Sequence, residues 1–187
     1  KSDDKFKVII DSEHNKNGKL QYGEVLIGNK NNKKEILIST YICHPSMANN
    51  ELSGILVLIS IISKILKINK PFFSYRFLFL PETIGSIAYL SKQYKYLQKN
   101  VIAGYVLSCI GDKGNFSFIP TRYENTLSDK IALYVLKNNT KQFNHFSYLD
   151  RGSDERQFNS PKINLPVCSI LRTKYGNYPE YHTSLDN

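Results

Sequence analysis

Cysteine is scarce in this chain and poorly spaced for cross-linking. Three thiols, Cys43, Cys109 and Cys168, are scattered through 187 residues. An odd, widely separated set argues against a disulfide framework and against a CxxC zinc knuckle. Their apolar neighbours Ile42, Ile110 and Val167 give the expectation of ordinary buried thiols, and a reducing, cytoplasmic setting fits them best. The sequence also lacks an uncharged apolar run near the roughly 20 residues that span a bilayer. The stretch Leu52 to Ile62 reads instead as part of a buried helix, and no membrane partner is expected. No basic segment followed by an apolar core opens the chain, so no secretory leader is expected. Acidic residues are few, 16 Asp plus Glu against 25 Lys plus Arg, for a formal charge of +9. Such a balance raises the question of a nucleic-acid partner. The lysines, however, sit in stretches such as "GNKNNKKE" and "KQYKYLQKN", without Gly-rich spacing or an aromatic stacking motif. The expectation is a solvated basic surface and no nucleic-acid partner.

What is present is an alternation of short β-branched or aromatic runs with longer helical stretches, the pattern of an α/β domain with a mostly parallel sheet. The opening segments "KFKVIID" and "LQYGEVLIG" read as strands joined through an Asn-Gly turn in "SEHNKNGK", and so as a hairpin at the sheet edge. After them, "EILISTYIC" reads as a core strand, "ELSGILVLISIISKILKI" as a long helix and "YRFLFLP" as a second core strand. "GSIAYLSKQYKYLQ", "VIAGYVLSCI", "TLSDKIALYVLKNN" and "LPVCSILR" continue the series as helix, strand, helix and strand. No linker or low-complexity tract interrupts them. A single domain over 1–187 follows, with a three-layer αβα architecture around a mostly parallel, mixed central sheet. The chain opens on Lys rather than Met and stops directly after "SLDN", which gives the expectation of a piece of a longer protein.

The polar residues fall at telling places on that scheme. His44 follows the first core strand, Glu82 the second and Asp112 the third, while Asp154 and His182 lie in the loops before and after the last. Loops at the carboxyl ends of parallel strands converge on one crevice, so these residues can share a site. Each has an ordinary reading as well. His44, biased toward extended backbone by Pro45, is a metal ligand or a hydrogen-bonding loop residue. Asn49, Asn50 and Glu51 stand at a helix entrance, where Asn caps and Glu favours the positive end of the helix dipole. Glu82 is a helix-terminal charge, a metal ligand or a general base. "DRGSDERQF" reads locally as an exposed, self-paired loop, and His182 as a solvated terminal residue. Together, two histidines and several carboxylates on one rim supply the nitrogen and oxygen donors that a catalytic zinc prefers.

Four ordered stretches, "CHPSMANNELSG", "PETIGSIAYL", "GSDERQF" and "YPEYHTSLDN", resemble the aminopeptidase-like domain found in uncharacterised bacterial proteins and related to the co-catalytic M28-type zinc exopeptidases. The resemblance runs from about Tyr22 to the last residue. It implies a zinc-exopeptidase-like fold, one or two zinc ions, and a peptide or aminoacyl amide substrate. It puts His44 on the first metal ligand, Glu82 on the acidic motif of general base and ligand, and His182 on the last ligand. Asp154 becomes a carboxylate that orients a ligand, and the bridging Asp of the family falls on Asn50. Three departures accompany it. Asn50 is neutral and bridges two cations poorly, with Glu51 its nearest substitute. The usual Glu-Glu pair is reduced to Glu82 after Pro81. The carboxylate after the next strand falls near Ser108, with Asp112 as a substitute. The implied function is a metal-dependent hydrolase of aminopeptidase type, including single-zinc chemistry on a non-peptide amide. The alternative is a catalytically degraded module that binds a ligand or partner.

Overall fold

The structure, a computed structural model, describes residue 5 and residues 7–29, 31–44 and 46–187. Its elements in chain order are β1 (Gly23–Ile27), β2 (Glu35–Tyr41), α1 (Ser53–Ile65), β3 (Ser74–Leu80), α2 (Ile84–Asn100) and β4 (Val101–Leu107). β5 (Phe116–Ile119), α3 (Leu127–Asn139), β6 (Phe143–His145), α4 (Glu155–Phe158) and β7 (Val167–Leu171) complete it. One π-helical turn, Ala48–Leu52, leads into α1.

The strands form one sheet in the order β1-β3-β2-β4-β7-β5-β6. β2 runs parallel to β3 and β4, β4 to β7, and β5 to β6, whereas β1 against β3 and β5 against β7 are antiparallel. This is the mixed, mostly parallel sheet expected. In β2, six of seven residues are buried, as a parallel strand covered on both faces requires. On one face Leu58 and Ile65 of α1 pack against Ile38, Phe77 and Leu107, and Ala132 and Leu136 of α3 against Phe118 and Cys168. On the other, Tyr89, Leu90 and Leu97 of α2 and Phe158 of α4 cover Leu37, Leu78, Val106 and Val167. Three layers result.

α1 comes very close to the sheet. A Cβ on Gly54 would lie 2.4 Å from Thr40 Oγ1 and 2.6 Å from the Leu107 carbonyl oxygen, which explains the glycine in "ELSG". By length and composition alone the helical stretch Ala48–Ile65 suffices to cross a bilayer. Here its Gly54, Leu58 and Ile65 are buried on the sheet, while Leu52, Leu56, Ile59 and Leu66 line the exposed side.

Two expectations are corrected. The "KFKVIID" segment is not a strand where it is described; Val8, Ile9 and Ile10 are exposed. β1 takes the edge position alone, pairing with β3 from Gly23↔Phe79 to Ile27↔Tyr75. Alternation in a short segment is a weak signal, because strand preference depends on the neighbours the side chains find to pack against. Phe6, within that segment, and Pro45 lie outside the described residues.

β1, β2, β3 and α2 are locked together by Arg76. Its Nε and Nη2 donate to Glu35 at 2.7 and 3.1 Å, and Nη1 donates to Tyr89 Oη at 3.0 Å and to Glu24. Tyr96 adds a 2.5 Å hydrogen bond to Glu35. Arg76 is 7% and Glu35 2% exposed, so removing either leaves an uncompensated buried charge. Arg76→Leu is expected to lower unfolding free energy by roughly 3–5 kcal/mol; urea denaturation checks it, and an unchanged midpoint contradicts the assignment.

Candidate functional site

β2, β3, β4 and β7 all end on the same rim, and the chain departs from β2 first to β3 on one side and then to β4 on the other. This is where an open α/β sheet leaves a crevice. His44 stands three residues beyond β2. Glu51, 3% exposed, reaches back from the π-helical turn so that its carboxylate accepts the N–H of Cys43 and, at 2.6 Å, the N–H of His44. The same carboxylate lies 3.3 Å from His44 Nδ1. His182 reaches this place from the far end of the chain. Its ring centroid is 4.8 Å from that of His44 and it stacks on Tyr181 at 3.9 Å.

The C-terminal loop is held by Asp186. Its Oδ1 accepts the N–H of Asn49 at 2.6 Å, and its Oδ2 accepts the N–H of Asn50 at 3.0 Å and the hydroxyl of Tyr178 at 3.2 Å. The orphan N–H groups at the helix entrance are thus capped by a carboxylate 136 residues away. Asn49 and Asn50 themselves do not cap. The Asn49 amide instead bridges to the turn after β4, accepting from Gly111 and Asp112 and donating to Asp112. Asn50 is 1% exposed, and its Oδ1 takes no hydrogen bond among the described residues. Asp112 is occupied with Asn49, Gly114 and Thr173, away from the histidines.

Glu82, half-buried at the end of β3, accepts the Ser153 hydroxyl at 2.5 Å. Asp154 sits behind it, fully buried. Its Oδ1 accepts Thr83 N–H and Ser86 Oγ–H, both at 2.8 Å, while Oδ2 is unpaired among the described residues. Thr83 is pinned by this bond in left-handed backbone with φ 60°, unfavourable for a β-branched residue. Cys109 at φ 46° and His182 at φ 56° share that feature on the same rim. Glu155 is also fully buried and accepts from Gly152, Ser153, Tyr175 and Ser169. "DRGSDERQF" is therefore not an exposed, self-paired loop; Ser153, Asp154, Glu155 and Phe158 all face inward.

Burial dominates the local electrostatics. It raises the Asp154 carboxyl from 3.8 to about 7, against the hydrogen bonds from Thr83 and Ser86 and with help from the charges of Glu82 and Glu155. Burial, then Glu51 and Glu82, push the Cys43 thiol up to about 12, although Cys43 keeps an exposed surface where Cys109 and Cys168 are buried. The ordinary buried thiol expected at Cys43 is thereby corrected. Tyr181 rises to about 12 by burial, with Glu82, Cys109 and Cys43 adding to it.

The structure thus brings His44 and His182 together, sets Glu82 and Asp154 on the adjoining strand end, and buries Asn50 beside Cys109. It leaves Asp112 apart. Asp186, Glu155 and the bonding of Glu51 to the strand end escaped the sequence reading; their only signal was their presence inside the four quoted stretches. Imidazole nitrogens and carboxylate oxygens are donors that zinc accepts, although among the described residues His44, His182 and Glu82 do not form a group whose donor atoms all lie within 4.8 Å of one another. A cavity of about 740 Å³ opens next door, between the start of α1, the Gly111–Gly114 turn and Leu185. His44, Glu82 and His182 do not line it, so it is a neighbour of this rim rather than its floor.

The raised Asp154 carboxyl makes stability depend on pH. Its folded value lies above the unfolded one, so between about pH 4 and 7 the folded state holds the extra proton and stability falls as pH rises. In metal-free protein, unfolding free energy is expected to drop by a few kcal/mol from pH 5 to 8 relative to Asp154→Asn. Parallel pH profiles of the two proteins in urea titrations contradict this.

Comparison with known proteins follows the same lines. Residues 9–187 match the family described as a domain of unknown function, DUF4910. A protein of Clostridium acetobutylicum, named as a candidate polysaccharide biosynthesis protein with an aminopeptidase-like domain, is 46% identical over 185 residues, 99% of this chain. The chain spans 42% of that relative's length. Among solved structures, a candidate peptidase from Clostridium acetobutylicum superposes with TM-score 0.81 at 46% identity, over 89% of this chain and 38% of that one. A zinc aminopeptidase from Bacillus subtilis gives 0.71 at 15% identity, over 88% and 43%. Glutaminyl cyclase of Porphyromonas gingivalis gives 0.69 at 14%, over 90% and 70%. The two distant likenesses carry the fold alone. By the extent of the family match, this chain belongs to the DUF4910 family and has the α/β fold of aminopeptidase-like proteins.

Proposed function

We propose that the domain is a metal-dependent hydrolase of aminopeptidase type, akin to the M28-type exopeptidases, acting on peptides or aminoacyl amides. The observation that carries the reading is the meeting of His44 and His182, 4.8 Å between ring centroids, beside the Glu82 strand end. His44 and His182 would be the nitrogen ligands, and Asn50 Oδ1, which takes no hydrogen bond among the described residues, would be an oxygen ligand. A bound zinc supplies a Lewis acid that polarises the scissile carbonyl and lowers the pKa of water.

The remaining work belongs to the chain. Ser153 donates to Oε1 of Glu82, which leaves Oε2 to take the proton of the attacking water and return it to the leaving amine. Asp154 fixes Thr83, the next residue, through its backbone N–H and so sets the direction of Glu82. All three cysteines are free, in keeping with a reducing, cytoplasmic setting. The neutral Asn50 favours a second reading, a degraded module that binds a ligand without turnover. Failure of the folded protein to bind zinc at micromolar concentration selects that reading.

Glu82→Gln separates the roles in the full chain. It is expected to reduce hydrolysis of aminoacyl amides by about 100-fold or more, with fold and zinc affinity retained. Unchanged turnover contradicts the assignment of Glu82 as base.

A further inference from the structure

The resemblance leaves the metal short of negative charge, because Asn50 is neutral where a bridging carboxylate is expected. The strand end carries that charge elsewhere. Cys43 Sγ lies 3.2 Å from His44 Nδ1 and 3.5 Å from Glu51 Oε2, and His44 Nδ1 lies 3.3 Å from Glu51 Oε2. Zinc bonds of about 2.3 Å to sulfur and 2.0–2.1 Å to nitrogen and oxygen put tetrahedral donors about 3.3–3.6 Å apart. The three measured edges fall close to that face of a tetrahedron. We propose that Cys43, His44 and Glu51 bind one divalent metal ion of zinc type together, with Cys43 as a thiolate ligand.

Several features agree. Glu51 is buried, and its carboxylate is oriented by two backbone N–H groups, the outer support that ligating carboxylates need. A thiolate and a carboxylate neutralise a divalent cation, as the Asn50 amide cannot. His182 stands beside His44, its ring centroid 4.8 Å away, but outside the group of mutually close donor atoms that Cys43, His44 and Glu51 form. Cysteine, imidazole and carboxylate together select zinc over calcium or magnesium, which take oxygen ligands. The inference rests on the reading that this rim binds metal at His44, and adds the two anionic ligands.

Cobalt(II) titration of the metal-stripped full chain, followed by absorption, distinguishes the two. Wild type is expected to saturate at one equivalent with a thiolate-to-cobalt charge-transfer band in the near ultraviolet. Cys43→Ser is expected to lose that band, and Glu51→Gln to keep it while binding more weakly by at least about 10-fold. Circular dichroism confirms that each variant is folded, and Cys43→Ser stands as the decisive test if Glu51→Gln does not fold. Cobalt bound without the band, or a band that survives in Cys43→Ser, overturns the thiolate ligand and leaves the metal reading standing. No binding of cobalt or zinc by folded wild type overturns both.

Discussion

A single buried carboxylate governs the geometry of the rim. Asp186 grips the N–H groups of Asn49 and Asn50 and the hydroxyl of Tyr178. It thereby closes the last loop onto the turn after β2. That clamp, together with the packing of Tyr178 and Tyr181 against Cys109, Ile119 and Leu171, brings His182 to His44, which lies far away in sequence on a separate loop. The clamp also stabilises the helix entrance electrostatically, since four backbone donors there have no partner within the helix. The left-handed backbone of His182 and Thr83 is sustained by such tertiary bonds, the former in the loop closed by Asp186 and the latter through Asp154. Strain held in place by surrounding structure is common where a fold positions functional groups.

The charge distribution sharpens the same picture. The chain as a whole is basic, +9, yet Glu51, Asp154, Glu155 and Asp186 are each at most 3% exposed and join Glu82 at the carboxyl ends of the strands. Burying carboxylates costs free energy unless they are hydrogen-bonded or matched by a cation. Glu155 and Asp186 are satisfied by N–H and O–H donors. Among the described residues Asp154 Oδ2 and Asn50 Oδ1 take no hydrogen bond.

Most of the layered fold was legible because parallel strands buried on both faces and amphipathic helices carry strong periodic signals. β2, β3, β4, β7 and the helices between them stand where "EILISTYIC", "YRFLFLP", "VIAGYVLSCI" and "LPVCSILR" predict. β5 and β6 were not legible: four and three residues long, they exist only because β7 and β5 offer edges to pair with. The N-terminal hairpin did not form: β1 pairs with β3 at the sheet edge, and exposed Val8, Ile9 and Ile10 form no strand beside it. At the site, the placing of His44, Glu82, Asp154 and His182 on one rim was legible from the predicted strand order, whereas their roles rest on the resemblance of the four quoted stretches. The capping by Asp186, the inward turn of "GSDE" and the return of Glu51 to the strand end were not. Each depends on hydrogen bonds whose donors belong to other parts of the fold.

The most direct measurement is an anomalous difference map at the zinc edge, from crystals of the full chain grown or soaked with zinc. The account predicts one peak within bonding distance of His44, bordered by Glu51 and His182 and facing Glu82. A fully zinc-equilibrated crystal with no peak there, or with peaks only at surface residues away from this rim, would contradict it.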